Sequence, residues 1–200
     1  MTNETFEAKL ARVKGTIHRV AIDDPYRRYR DGLLYYSNKA EDLHNSAMVL
    51  GGDPSGIHFE AFALLAGISL EVLIKGTLVG LHEKVPMKHN LITLCETAGF
   101  TMSDDDRTVL KAFTVYTTWY SRYPAARSLR EMTEGMDVVK APYARGGNLQ
   151  AIIEAVRNSP VAVNEATYQR LYGFFRQRFF DVQSSVRESA EWSWNLPDNQ

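Results

Sequence analysis

The sequence predicts an all-α protein: a helical bundle of four to five core helices with additional helices at its N- and C-termini. Three observations predict it. Apolar residues recur every third and fourth position through most of the chain, the spacing that lines one face of a helix. Residues 57–81 are apolar on nearly every side, as the central helix of a bundle must be. No alternating run of β-branched residues is long enough to build a sheet. At 200 residues the chain has the size of one domain, residues 1–200, and can bury a core without staples.

Phe6, Leu10, Val13 and Ile17 predict a weakly amphipathic first helix over residues 4–20, ended by Asp23-Asp24-Pro25. Leu33, Tyr36, Ala40, Leu43, Ala47 and Leu50 mark one buried face over 29–50, and Gly51-Gly52-Asp53-Pro54 ends that helix. In the central helix, Gly67 and Gly76 each cost about 1 kcal/mol of helix propensity against alanine. Close helix–helix approach is the structural reason to expect them there. A shorter helix at 89–98 ends at Gly99. Ser103 with Asp106 three residues on has the form of a capping box, and Asp104–Asp106 suit the helix dipole. Val109, Phe113, Tyr116 and Tyr120 are the stripe of that helix, which Pro124 stops.

Residues 124–147 hold two prolines and three glycines with no sustained period. They predict a long loop, with a helical turn near 126–132 and an extended piece near 136–139. A short helix at 149–157 follows. Asn164 caps the last long helix, 164–191, whose stripe is Tyr168, Tyr172, Phe175, Phe179, Val182 and Val186. That stripe is a core face with a solvated basic flank of Arg170, Arg176, Arg178 and Arg187 or, alternatively, a seam between two copies. Trp192 and Trp194 are expected to pack back on the domain.

Net charge is −1, so no global field drives the protein onto a polyanion; such a site must come from local clustering. The lone cysteine, Cys95, excludes an internal disulfide and any zinc site with several thiolates. With no signal-like start, it points to a reducing, cytoplasmic setting. Residues 59–81 are long enough to cross a bilayer, but Glu60, Glu71 and Lys75 make a buried core helix the expectation, and no membrane partner is expected.

No HxH, HExxH or HxxxH pair occurs among His18, His44, His58, His82 and His89, so no metal is expected. His44 reads as a packed histidine. Cys95, inside an apolar helix, reads as a small hydrophobe. Neither GxSxG, GxGxxG nor GxxxxGK[ST] is present, and no cofactor is expected.

Two segments carry more. One is Lys88-His89-Asn90-Leu91-Ile92-Thr93-Leu94; the other is Trp119-Tyr120-Ser121-Arg122-Tyr123-Pro124-Ala125-Ala126-Arg127. Together with Ser69-Leu70-Glu71-Val72-Leu73-Ile74-Lys75, they stand in the order seen in HEPN domains. Those have an apolar helix with a Glu…Lys pair, a loop, an H-x-L-x-x-L helix start, and a helix ending in an R-Y-P-like run. Over about residues 30–127 the chain resembles that family.

The resemblance implies a four- or five-helix bundle, often a homodimer, in toxin–antitoxin, defence or RNA-processing settings. It implies a partner such as RNA, a nucleotide, or a cognate nucleotidyltransferase or antitoxin. Many members are metal-independent ribonucleases with an R-x(4–6)-H motif near the domain's last helix. Here no histidine follows His89; the one such match is Arg12 with His18, outside the matched region. A domain without catalysis is therefore the expectation. The alternatives are a metal-independent endoribonuclease with an atypical site drawn from His89, Arg122 and Arg127, or from Arg12 and His18, and an oligomeric adaptor.

Arg122, Arg127, Arg130, Lys140 and Arg145, interleaved with Tyr123 and Tyr143, form a modest basic cluster suited to phosphates and stacked bases, or a solvated loop. Arg27, Arg28 and Arg30 with Tyr26 and Tyr29 form a second. The candidate ligand contacts are Lys88, Arg122, Tyr123, Arg127 and Arg130.

Overall fold

The structure, a computed structural model, describes residues 4–14, 32–53, 56–120, 128–140 and 159–194. These form seven α-helices and one π turn, with no strand among them. In chain order they are α1 (Phe6–Lys14), α2 (Leu33–Gly51), α3 (Phe59–Gly80), α4 (Leu91–Ala98), α5 (Asp104–Val115), the π turn (Tyr116–Tyr120), α6 (Leu129–Lys140) and α7 (Glu165–Trp194). The chain is an all-α helical bundle.

Helix α3 is the axis of the bundle. Residues from all round it are buried, among them Phe62, Ala66, Leu70, Leu73, Ile74 and Leu78. By length and composition it could cross a membrane; here α2, α7, α4, α5 and the π turn surround it. Helix α2 is its most extensive neighbour, burying Leu33, Ala40 and Ala47 of the expected stripe. At Gly76, α2, α3 and α7 approach closely. A Cβ there would lie 2.7 Å from both the Phe179 ring and the Tyr36 Cβ, so only glycine lets the three backbones approach.

The caps follow the sequence. Asn90 accepts from Thr93 N–H at 3.0 Å and begins α4. Ser103 accepts from Asp106 N–H at 3.1 Å and begins α5, and its hydroxyl donates to the Asp106 carboxylate at 2.8 Å. Asn164 Oδ1 accepts from Thr167 N–H at 2.8 Å, while Thr167 Oγ1 accepts from Asn164 N–H at 3.2 Å, a reciprocal box that begins α7.

Gly99 closes α4 at φ 81°, the left-handed C-cap that glycine adopts without strain. Its carbonyl accepts from Phe6 N–H at 3.1 Å, which seats α1 on the end of α4. Lys9 completes the docking. It is only 7 % exposed, and its ammonium donates to the Thr97 carbonyl and pairs with Glu83.

Two expectations are corrected. The helix begun by Ser103 does not stay α-helical to its end; from Tyr116 it widens into a π turn. Thr114, Thr117 and Thr118 bend their hydroxyls back onto carbonyls one turn earlier, competing with the regular ladder. The expected loop at 124–147 contains helix α6, so the piece near 136–139 is helical rather than extended. Gly135 weakened the helical signal there, yet it is buried within α6, which packs on α5. Tertiary packing outweighs about 1 kcal/mol of glycine propensity.

The short helix at 149–157, the patch at 26–30, residues 15–20 of the first helix, and Lys140 side chain, Tyr143 and Arg145 lie outside what is described. So does the packing of Trp192 and Trp194, which belong to the last turns of α7.

Candidate functional site

Helix α3 places Glu71 and Lys75 one turn apart on one face, where the Lys75 ammonium meets Glu71 Oε1 at 2.7 Å. Glu71 is 6 % exposed, so its carboxylate is held inside the protein and needs partners. The chain leaves α3 through His82, whose φ of 58° occupies the left-handed position that turns a helix end. His82 N–H bonds to Val79 O and Glu83 N–H to Leu78 O, which closes that turn.

The connection then returns to Glu71. His89 Nδ1 lies 2.9 Å from Glu71 Oε1 and 3.0 Å from Oε2. Its position is fixed from the other side as well. Asn90 is the N-cap of α4, and Leu91 N–H donates to Thr114 Oγ1 of α5 at 3.1 Å. Three elements thus converge on one histidine: α3 supplies the carboxylate, the loop the ring, and α5 the clamp on the backbone. The His89 side chain is 46 % exposed, so the ring reaches water beside the exposed Lys88.

Of the residues singled out in the sequence, the structure brings together Glu71, Lys75 and His89, with Lys88 adjacent in the chain. Arg130 lies on α6 and is engaged by Glu134 at 2.7 Å in an exposed pair one turn apart. Arg122, Tyr123 and Arg127 lie outside the described residues. Arg12 binds Glu83 at 2.6 Å and serves the docking of α1; His18 lies outside the described residues. The acceptors Asn90 and Thr114 were missed as supports of the site. Asn90 was detectable as an N-cap before an apolar run, whereas Thr114 becomes a partner only through the packing of α4 on α5.

A second polar cluster lies where α2, α3 and α7 meet. The fully buried Tyr168 hydroxyl is 2.9 Å from His44 Nδ1 and 2.8 Å from Ser69 Oγ, and Ser69 donates to the Ala66 carbonyl. His44 stacks on Tyr172 with centroids 3.9 Å apart. Burial holds the His44 imidazole below its ordinary pKa, Arg176 adds to that, and Glu41 opposes it. His44 is a packed core-edge histidine in this geometry. The Cys95 thiol is buried and pushed up in pKa by desolvation, which suppresses the thiolate.

Arg170, Arg176 and Arg178 of α7 are structural. Arg170 pairs with Asp106, Arg176 lies over the Phe180 ring, and Arg178 spans the Phe6 and Phe174 rings and pairs with Glu7. The fold and site together define an all-α bundle carrying a carboxylate-held histidine at its surface. Comparison with models of known families, with curated proteins and with solved structures finds no match.

Proposed function

We propose that the chain is a HEPN-like helical domain that binds a phosphate-bearing ligand, RNA or a nucleotide, without catalysis of its own. One observation supports this above all. Two separate segments that carry the resemblance, Glu71–Lys75 and His89, meet within hydrogen-bonding distance, with the exposed Lys88 next to His89 in the chain. A positioned imidazole flanked by lysines suits phosphate oxygens through charge-assisted hydrogen bonds. The Arg122–Arg127 segment follows the π turn, a helix irregularity that recurs at functional sites. The setting would be cytoplasmic and of the toxin–antitoxin, defence or RNA-processing kind, with the chain as a homodimer.

Calorimetry with single-stranded RNA and with nucleotides tests the reading. Binding should weaken on added salt, and the double substitution Lys88→Glu, His89→Gln should cost about tenfold or more. Silence toward every one of these ligands would remove it and leave a cognate protein as the partner.

The second reading is a ribonuclease with an atypical site. The hold of Glu71 on His89 favours it, because a carboxylate-oriented histidine is also the arrangement of a general base. Incubation with tRNA and mRNA should then give cleavage that His89→Ala abolishes; intact RNA over many enzyme equivalents would end the idea.

A further inference from the structure

We infer that Glu71 is a positioning residue for His89. It fixes the proton on Nδ1, so that Nε2 is the atom offered to a phosphate-bearing ligand and a proton is taken up as that ligand binds. This rests on the phosphate-binding reading above.

An ionised carboxylate only accepts hydrogen bonds, so the ring nitrogen between its two oxygens must carry the proton. Glu71 cannot swing away, being set mid-helix in α3, 6 % exposed, and tethered by Lys75 at 2.7 Å. The ring cannot slide either, because Leu91 N–H is clamped to Thr114 just beyond it. Nε2 lies on the opposite side of the imidazole and has no partner among the described residues.

In the neutral ring Nε2 is a lone pair, which a phosphate oxygen, itself a lone-pair acceptor, does not bind. Protonated, it becomes a charge-assisted donor. Among the described residues, the charged groups at the ring are Glu71 and Lys75 of α3, which balance each other, and Lys88 precedes it on the loop. The added proton therefore supplies net positive charge where the ligand arrives.

The test titrates the full chain with a short oligouridine lacking a terminal phosphate, whose diester charges stay constant between about pH 5 and 8, where imidazoles change charge. Affinity should rise on acidification by up to about tenfold per pH unit, the limit for one linked proton, and His89→Gln should flatten the profile. Nitrogen NMR of the neutral imidazole should show the proton on Nδ1 in the wild type and a mixture of tautomers in Glu71→Gln, whose amide both donates and accepts. A wild-type ring protonated on Nε2, or a single tautomer unchanged in Glu71→Gln, overturns the positioning role. Wild-type binding that ignores pH overturns the proton uptake and leaves the phosphate-binding reading standing. Absence of binding at any pH removes that reading, while the NMR result still decides the role of Glu71.

Discussion

At the residue scale, two histidines have different roles. His89 is half exposed and held by a carboxylate; His44 is stacked, partly buried and held by a tyrosine hydroxyl. Depression of the His44 pKa has a definite consequence. The unfolded chain accepts a proton that the folded protein resists, so stability falls as pH drops below the ordinary imidazole value of about 6.5. Urea denaturation at a series of pH values should show that loss, and His44→Gln should flatten it. Glu71 makes the second prediction at this scale. Glu71→Ala strands the Lys75 ammonium in a mostly buried site and should cost about 3 kcal/mol, whereas His89→Gln at the surface should cost under about 1 kcal/mol. Equal losses in denaturant midpoint would contradict this picture of a buried anchor and an exposed ring.

At the element scale, α1 is attached by a few specific contacts, and each can be removed. A Cβ on Gly99 would lie 2.6 Å from Phe6 N and 2.7 Å from the Glu4 carbonyl oxygen, in a left-handed backbone that disfavours any side chain. Gly99→Ala should therefore destabilise by about 2 kcal/mol or more and release α1, read as faster amide exchange in residues 6–14. The docking is also sensitive to acid. Burial raises the Glu83 pKa, but hydrogen bonds and charge from Lys9 and Arg12 outweigh it, and the net shift is downward. A depressed carboxylate stabilises the fold above its unfolded pKa, and that contribution is lost as pH falls through the folded value. Protection of the α1 amides, taken relative to the intrinsic exchange rate at each pH, should accordingly fall in the acid range below that of the His44 effect, and Glu83→Gln should remove that step.

At the scale of the whole molecule, α7 decides what kind of bundle this is. Tyr168, Leu171, Phe175, Phe179 and Val182 are almost wholly buried within the chain, against α3 and α1. The stripe that offered itself as a seam between copies is occupied internally. Phe175→Asp should then abolish folding, with lost helical circular dichroism and a cost of about 4 kcal/mol or more, instead of yielding a folded monomer. A soluble, fully helical Phe175→Asp variant would mean that the stripe is not core. The same packing leaves Leu129 and Met132 of α6 exposed.

Much of this was determined by the sequence alone. The periodic stripes of α2, α5 and α7, the all-round apolarity of α3, and the caps Ser103, Asn164 and Gly99 are local signals, because helix geometry maps spacing directly onto a face. Where spacing misled, a nonlocal force decided. Packing on α5 makes a helix of Leu129–Lys140 despite Gly135, and the π turn opens where three threonine hydroxyls bond back onto carbonyls and Thr117 packs against Gly67. For the site, the sequence supplied Glu71, Lys75 and His89 as separate marks. Their meeting is a property of tertiary structure: 18 residues separate Glu71 from His89, and the His82 turn together with the Leu91–Thr114 clamp between α4 and α5 returns the loop to a carboxylate that burial has left in need of a partner.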